Sequence, residues 1–152
     1  MYLFMLMLFI TCAVIVFVAM KCCTPSVTEH FFFFNKMNNE RDDAIYIKRL
    51  NDVAHVVYPL KRFDIRCGKK SYTVNKSTIY ICLRDPRTGD MYRYDVLLYV
   101  MLHEMAHAIS TSYSEDHNDE EFSNNFQMLL GRARTLGLLT VTVNVPSNYC
   151  GL

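Results

Sequence analysis

With 152 residues, 51% of them apolar, the chain supports one domain with a core of its own plus one accessory segment. Lys and Arg number 16 against 15 Asp and Glu, for a net charge of +1, so no field from the whole chain draws it to nucleic acid or an anionic surface. There is no internal repeat, and the only compositional oddity is the short run Phe31 to Phe34.

Met1 to Met20 is an unbroken run of apolar or weakly polar residues closed by Lys21. At about 1.5 Å per residue, a helix of that length just spans a hydrocarbon core of about 30 Å. The segment therefore reads as a transmembrane anchor. A cleaved signal peptide is the rival, but no basic stretch precedes the run, and Ala19 has the bulky Phe17 two places ahead where a small residue is needed. Lys21, Lys36 and Arg41 follow the span, which places the remainder on the cytoplasmic side by the positive-inside tendency. The expected organisation is an anchor over 1–20, a juxtamembrane linker over 21–37 and a folded domain over 38–152, in a single-pass membrane protein. Cys22 and Cys23 sit at the expected membrane edge, where they are either S-acylation sites or unmodified thiols.

From about Met37 the pattern predicts a helix. Asn38 or Asn39 can cap it, acidic residues fill its first turns, and Ile47, Leu50, Val53, Ala54 and Val57 recur at helical spacing until Pro59. His55 stands apart from other ligand types and reads as a surface or structural residue. Lys61 to Lys70 is locally basic and reads as a solvated face. Ser71 to Val74 and Thr78 to Leu83 have the β-branched and aromatic content of strands, with Asn75 to Ser77 as their turn. Arg84 to Asp90 is a loop by its Pro and Gly. A short antiparallel sheet is thus expected, and its last strand is the candidate to pair with an extended substrate.

Val96 to Ser110 carries the chemistry. His103 and His107 are four apart, close to one helical turn of about 3.6 residues, so both imidazoles reach one side of the helix and one metal ion. Glu104 stands where the H-E-x-x-H pattern puts the carboxylate that holds a metal-bound water. Catalytic zinc takes three protein ligands, and His117 is the candidate for the third, because the polar segment after Ile109 lets the chain turn back. Asp95 is placed to cap this helix. Glu120 and Glu121, behind Asn118 as cap, open a second helix along Phe122, Phe126, Leu129, Leu130 and Ala133 until Gly137. Thr140 to Val145 alternates like a strand. Asp119, Glu120 or Glu121 can accept from the second nitrogen of a ligand histidine. Tyr113 or Tyr149 is conceivable as an oxyanion partner, although a packed tyrosine is the commoner role for each.

Of the cysteines beyond the membrane edge, Cys67, Cys82 and Cys150 form an odd set with no C-x-x-C pair. That gives neither a disulfide framework nor a zinc knuckle. Reduced thiols in a cytosol-facing domain fit, and one bridge among the three stays open.

The residues from Ile79 to Asp85, those from Leu97 to His107, and His117 followed by Glu121, Phe122, Phe126, Leu129 and Leu130 resemble the small metallopeptidases of large DNA viruses. Those are similar to the WLM and SprT-like zinc peptidases, and the terminal Tyr149, Cys150 and Gly151 share the likeness. The resemblance implies an α+β, zincin-like fold: a helix, a short antiparallel sheet, the H-E-x-x-H helix and a second active-site helix. It implies Zn2+ held by His103, His107 and His117, with Glu104 as general base. Two features depart from it. No Gly-Pro follows His117, whose nine-residue gap from His107 is shorter than in SprT-like members and longer than in many WLM members. An apolar run also stands where the cellular repair proteases carry DNA-binding tails.

The expected function is a membrane-anchored zinc endopeptidase that hydrolyses peptide bonds with a Glu-activated, zinc-bound water, its partners being a protein or peptide substrate and a membrane. The alternative is a non-catalytic, membrane-anchored structural or virion protein whose zinc only stabilises the fold. The intact Glu104 weighs against it, since a structural site prefers four protein ligands and has no use for a base. Cleavage of DNA-bound proteins is a weaker third reading, disfavoured by the charge balance.

Overall fold

The computed structural model describes residues 27–111, 119–139 and 142–151. The chain divides into two compact units, Met1–Arg41 and Asp42–Leu152, and the site lies in the second. The elements run α1 (Val27–Val57), β1 (Asp64–Cys67), β2 (Tyr72–Val74), β3 (Thr78–Ile81), α2 (Tyr94–Ile109), α3 (Glu120–Thr135) and a terminal 3-10 turn (Tyr149–Gly151).

Three helices and a three-stranded sheet replace the expected anchored arrangement. Among the described residues no helix is long and apolar enough to cross a membrane. At 31 residues, α1 has the length, but Glu29, Lys36 and the cluster Glu40 to Asp43 would put several charges into hydrocarbon at once. The expected transmembrane helix and single-pass localisation are therefore withdrawn. Met1 to Met20, on which they rested, lies outside the described residues, as do Cys22 and Cys23.

The sheet is mixed rather than antiparallel. β3 lies in the centre, with order β1-β3-β2. It pairs parallel to β1 (Ile65 opposite Ile79) and antiparallel to β2 (Thr73 opposite Ile79). The expected substrate-pairing strand is thus covered on both sides, and the sheet edges are β1 and β2. The hairpin tip joining β2 to β3 turns at Asn75 and Lys76, both with φ near +50° (49° and 55°), the left-handed pair that a type I′ turn requires. Asn tolerates that conformation; Lys76 adopts it and reaches the end of α2, where its Nζ donates to the carbonyls of Ser110 and Thr111.

The core forms where the C-terminal part of α1, one face of the sheet and the two later helices meet. Leu50, Ala54 and Val57 come from α1, Ile65, Ile79 and Ile81 from the sheet, Leu97, Met101 and Met105 from α2, and Phe122, Leu129 and Ala133 from α3. α2 is buried nearly all round, as expected for a helix with apolar residues on most sides. The half-buried exceptions within it include Tyr99, His103 and His107, one stripe at i, i+4, i+8. α3 starts at Asp119, whose side chain accepts from the Glu121 amide at 3.0 Å, and stops at Gly137, left-handed at φ 67°. Beyond it, the Leu138 amide bonds back to the Ala133 carbonyl, the closing contact of a glycine-terminated helix. The expected strand over 140–145 does not form among its described residues, 142–145, which run without regular structure.

Candidate functional site

α2 brings the two helix histidines together. His103 Nε2 and His107 Nε2 lie 3.3 Å apart, with their rings nearly perpendicular at 77°. Two nitrogens bound at about 2.05 Å to a tetrahedral zinc are separated by about 3.3 Å, so the pair fits a shared zinc ion as it stands. The rings are held by α3: the Phe122 ring stacks on His107 at 4.3 Å and meets His103 edge-on at 5.0 Å, while Phe126 meets His103 at 5.3 Å and Tyr99 at 5.3 Å. Phe122 and Phe126 are themselves one turn apart, so each helix offers a column of rings to the other. Among the described residues no third His, Cys, Asp or Glu joins the pair. His117, the expected third ligand, lies outside the described residues, as does Tyr113.

Glu104 lies beside His103 on the edge of the helix that faces the sheet, and only 8% of its surface is exposed. Its Oε2 accepts from the Thr73 hydroxyl at 3.0 Å, and its backbone carbonyl lies 2.9 Å from the same oxygen. Burial pushes its carboxyl up to about 7, against which the Thr73 hydroxyl, by favouring the ionised form, works in the opposite direction.

The C-terminal end of α2 is tied down from three sides. Lys61 Nζ donates to the Ala108 carbonyl at 3.0 Å, and Lys76 donates to the two carbonyls beyond. Cations here satisfy carbonyls that have no partner within the helix and suit the negative end of its dipole. Lys61 thus has a bonded role within the stretch read as a solvated face. Ser110 accepts from Asn125 of α3 at 3.0 Å, and the Glu121 carboxylate accepts from the Thr111 amide and hydroxyl at 2.9 and 2.7 Å. Glu121 and Asp119 therefore have structural bonds, the second as the α3 cap. At the other end Asp95 lies inside the first turn of α2, paired with Arg93 at 2.7 Å, rather than at the capping position.

A cavity of about 490 Å³ opens beside His103 and Glu104, lined also by Tyr99, Val100, Val143, Val145, Pro146 and Tyr149. Its far side is pinned by a Cys82–Cys150 disulfide, the open alternative among the three cysteines. Tyr149 is packed, with 4% of its surface exposed. The Cys82 amide donates to Ser71 Oγ at 3.0 Å, Ser71 and Tyr149 share a bond of 3.0 Å, and the Tyr149 hydroxyl donates to the Cys82 carbonyl at 2.7 Å. The phenol proton is spent in that ring, so Tyr149 serves as a packed tyrosine and not as an oxyanion donor. Burial pushes its hydroxyl up to about 12.

Sequence reasoning missed Thr73, Lys61, Lys76 and the Val143 to Pro146 wall. Thr73 left no local signal: Tyr72 and Val74 are exposed and Thr73 half-buried, the reverse of what the apolar-polar alternation of the strand predicts.

No family model matches the chain. Over 85 residues it is 39% identical to uncharacterized protein 136R of Invertebrate iridescent virus 6, covering 55% of this chain and 46% of that protein. It is 36% identical over 84 residues to uncharacterized protein 042R of Invertebrate iridescent virus 3, covering 55% of this chain and 51% of that protein. To uncharacterized protein R325 of Acanthamoeba polyphaga mimivirus it is 30% identical over 92 residues, covering 54% and 42%. The chain spans about half the length of the curated relatives it matches. Among solved structures it is similar to a mutant of Wss1 from Saccharomyces cerevisiae, at 19% identity and a TM-score of 0.45 over 68% of this chain and 84% of that one. Wss1 itself gives 20% identity and a TM-score of 0.42 over 68% and 83%. The chain is thus similar in sequence to viral proteins and, more distantly, in structure to Wss1.

Proposed function

We propose that this chain is a zinc-dependent endopeptidase in which His103, His107 and His117 hold the metal and Glu104 is the general base. The observation that carries it is the 3.3 Å approach of the two ligand-type nitrogens on the same turn as a buried carboxylate. Burying a carboxylate disfavours its charged form, and no hydrophobic-core role needs one there. Zinc, when bound, supplies a Lewis acid that polarises the scissile carbonyl and acidifies a water. The chain's own groups do the rest. Glu104 takes the proton from the attacking water and passes it to the leaving amine, a task suited to a carboxyl lifted toward neutrality. Thr73 fixes the carboxylate on its sheet side, and Phe122 and Phe126 hold the two imidazoles in place.

Glu104→Gln keeps the shape and removes the base. The expected outcome is unchanged zinc content by metal analysis and peptide cleavage reduced by about a hundredfold to ten-thousandfold. Turnover retained in that variant ends the assignment.

A further inference from the structure

The cavity beside the site has a chemical direction. Its floor is two columns of α2, Tyr99 below His103 and Val100 below Glu104, each with an apolar rung and, four residues on, a reactive one. Its wall is the irregular segment before the terminal turn, where Val143 and Val145, two residues apart, both line the cavity and Pro146 follows. Among the described residues the lining contains no Lys, Arg or Asp; its ionisable side chains near neutral pH are His103 and Glu104 of the site itself, and Ser71 and Ser147 are its small polar members. Four residues of helix rise about 6 Å, whereas an extended peptide advances about 3.3 Å per residue. For a peptide that runs along this helix with its bond at His103 and Glu104, a side chain within two residues of that bond falls on Tyr99 and Val100, beside Val143 and Val145.

We propose that this cavity is a specificity pocket for an aliphatic or aromatic side chain within two residues of the cleaved bond. The substrates are then peptides or proteins that present such a residue in an extended stretch. The inference rests on the peptidase reading and adds a substrate class to it. Apolar walls discriminate by size at about tenfold or more per methylene, and they disfavour a charge, because the two ionisable groups on the lining that could pair with one, His103 and Glu104, are engaged in the proposed chemistry.

The test is a peptide library cleaved by the full-length, zinc-loaded chain, alongside Val145→Lys and Val145→Asp. Val145 lies on the wall with 37% of its surface exposed, so either substitution leaves the core untouched. Wild type should favour Leu, Ile, Phe or Met over Ala at one position near the bond by about tenfold or more in kcat/KM, and disfavour Lys and Glu there. Val145→Lys should raise cleavage of Glu-containing peptides relative to Leu at that position, and Val145→Asp should do so for Lys. In parallel, fluorescence anisotropy with the Glu104→Gln chain should show tighter binding of a Leu-containing peptide than of its Glu counterpart, a readout independent of turnover. Cleavage without any such preference, or a preference that neither Val145 variant moves, overturns the pocket and leaves the peptidase standing. No cleavage of any peptide by zinc-loaded wild type overturns the peptidase reading instead.

Discussion

Thr73 is the residue whose role the structure adds to the site. It sits on the edge strand β2, and its hydroxyl lies within 3.0 Å of the Glu104 carboxylate, so it fixes where that carboxylate points. A hydrogen bond to a charged group contributes about 1.5–3 kcal/mol, which corresponds to roughly ten- to hundredfold in rate if it acts at the rate-limiting step. Thr73→Val, which keeps the shape and removes the donor, should lower kcat by that amount with KM and zinc content little changed, and Thr73→Ser should restore most of it. Steady-state kinetics with metal analysis decide; a Val variant with wild-type kcat removes Thr73 from the mechanism. At this scale His103, Glu104 and His107 are legible in sequence because their spacing is fixed by one helix. Thr73 is not legible there, since the strand packs its polar residue inward, its partner lies 31 residues away and no local rule connects them.

Between elements, the contact of α2 with α3 is what holds the imidazoles. Phe122 is 5% exposed and touches both rings. Phe122→Ala should destabilise the domain by about 3–5 kcal/mol, read from urea unfolding. It should also weaken zinc binding by about tenfold or more, as loss of a supporting group does in other metal sites. Unchanged zinc affinity in a variant that unfolds earlier would make the ring a packing residue alone. The periodicity of α2 and α3 is visible in sequence, as is the glycine that stops α3. The place of β3 is not: β1 lies in a locally basic stretch, and its Asp64, Arg66 and Cys67 are exposed with Ile65 alone buried. One inward apolar residue is too little for a period-two signal, and its parallel pairing across 14 residues (Ile65 with Ile79) is non-local. Without β1, β3 passes for an edge.

For the whole molecule, the decisive covalent tie is Cys82–Cys150, which closes a loop with a sequence separation of 68. The odd set of three cysteines hides it, because which two pair depends on where β3 ends and where the last turn lands. The same turn donates the Cys150 amide to the Tyr92 hydroxyl at 3.0 Å, and Tyr149 rests against Tyr92 at 4.7 Å. Restricting the unfolded chain over such a loop is worth about 4 kcal/mol in the loop-entropy account. Cys82→Ser with Cys150→Ser should lower the unfolding free energy by roughly that amount, measured by denaturant titration under oxidising conditions. Equal stability of the two proteins would show the bridge to be dispensable.

Two surface turns of the domain invite different handling. By appearance the Asn75–Lys76 tip is a disposable hairpin end, yet it is a peg driven into the exit of the histidine helix, and lengthening it would pull that peg out. The bend at residues 87–89 is exposed, and although Gly89 itself, left-handed at φ 79°, resists substitution, nothing lies within 4 Å of where its side chain would stand. A dye or affinity tag grafted there leaves the chemistry alone, which makes that bend the natural handle for immobilising the protein with its cleft open.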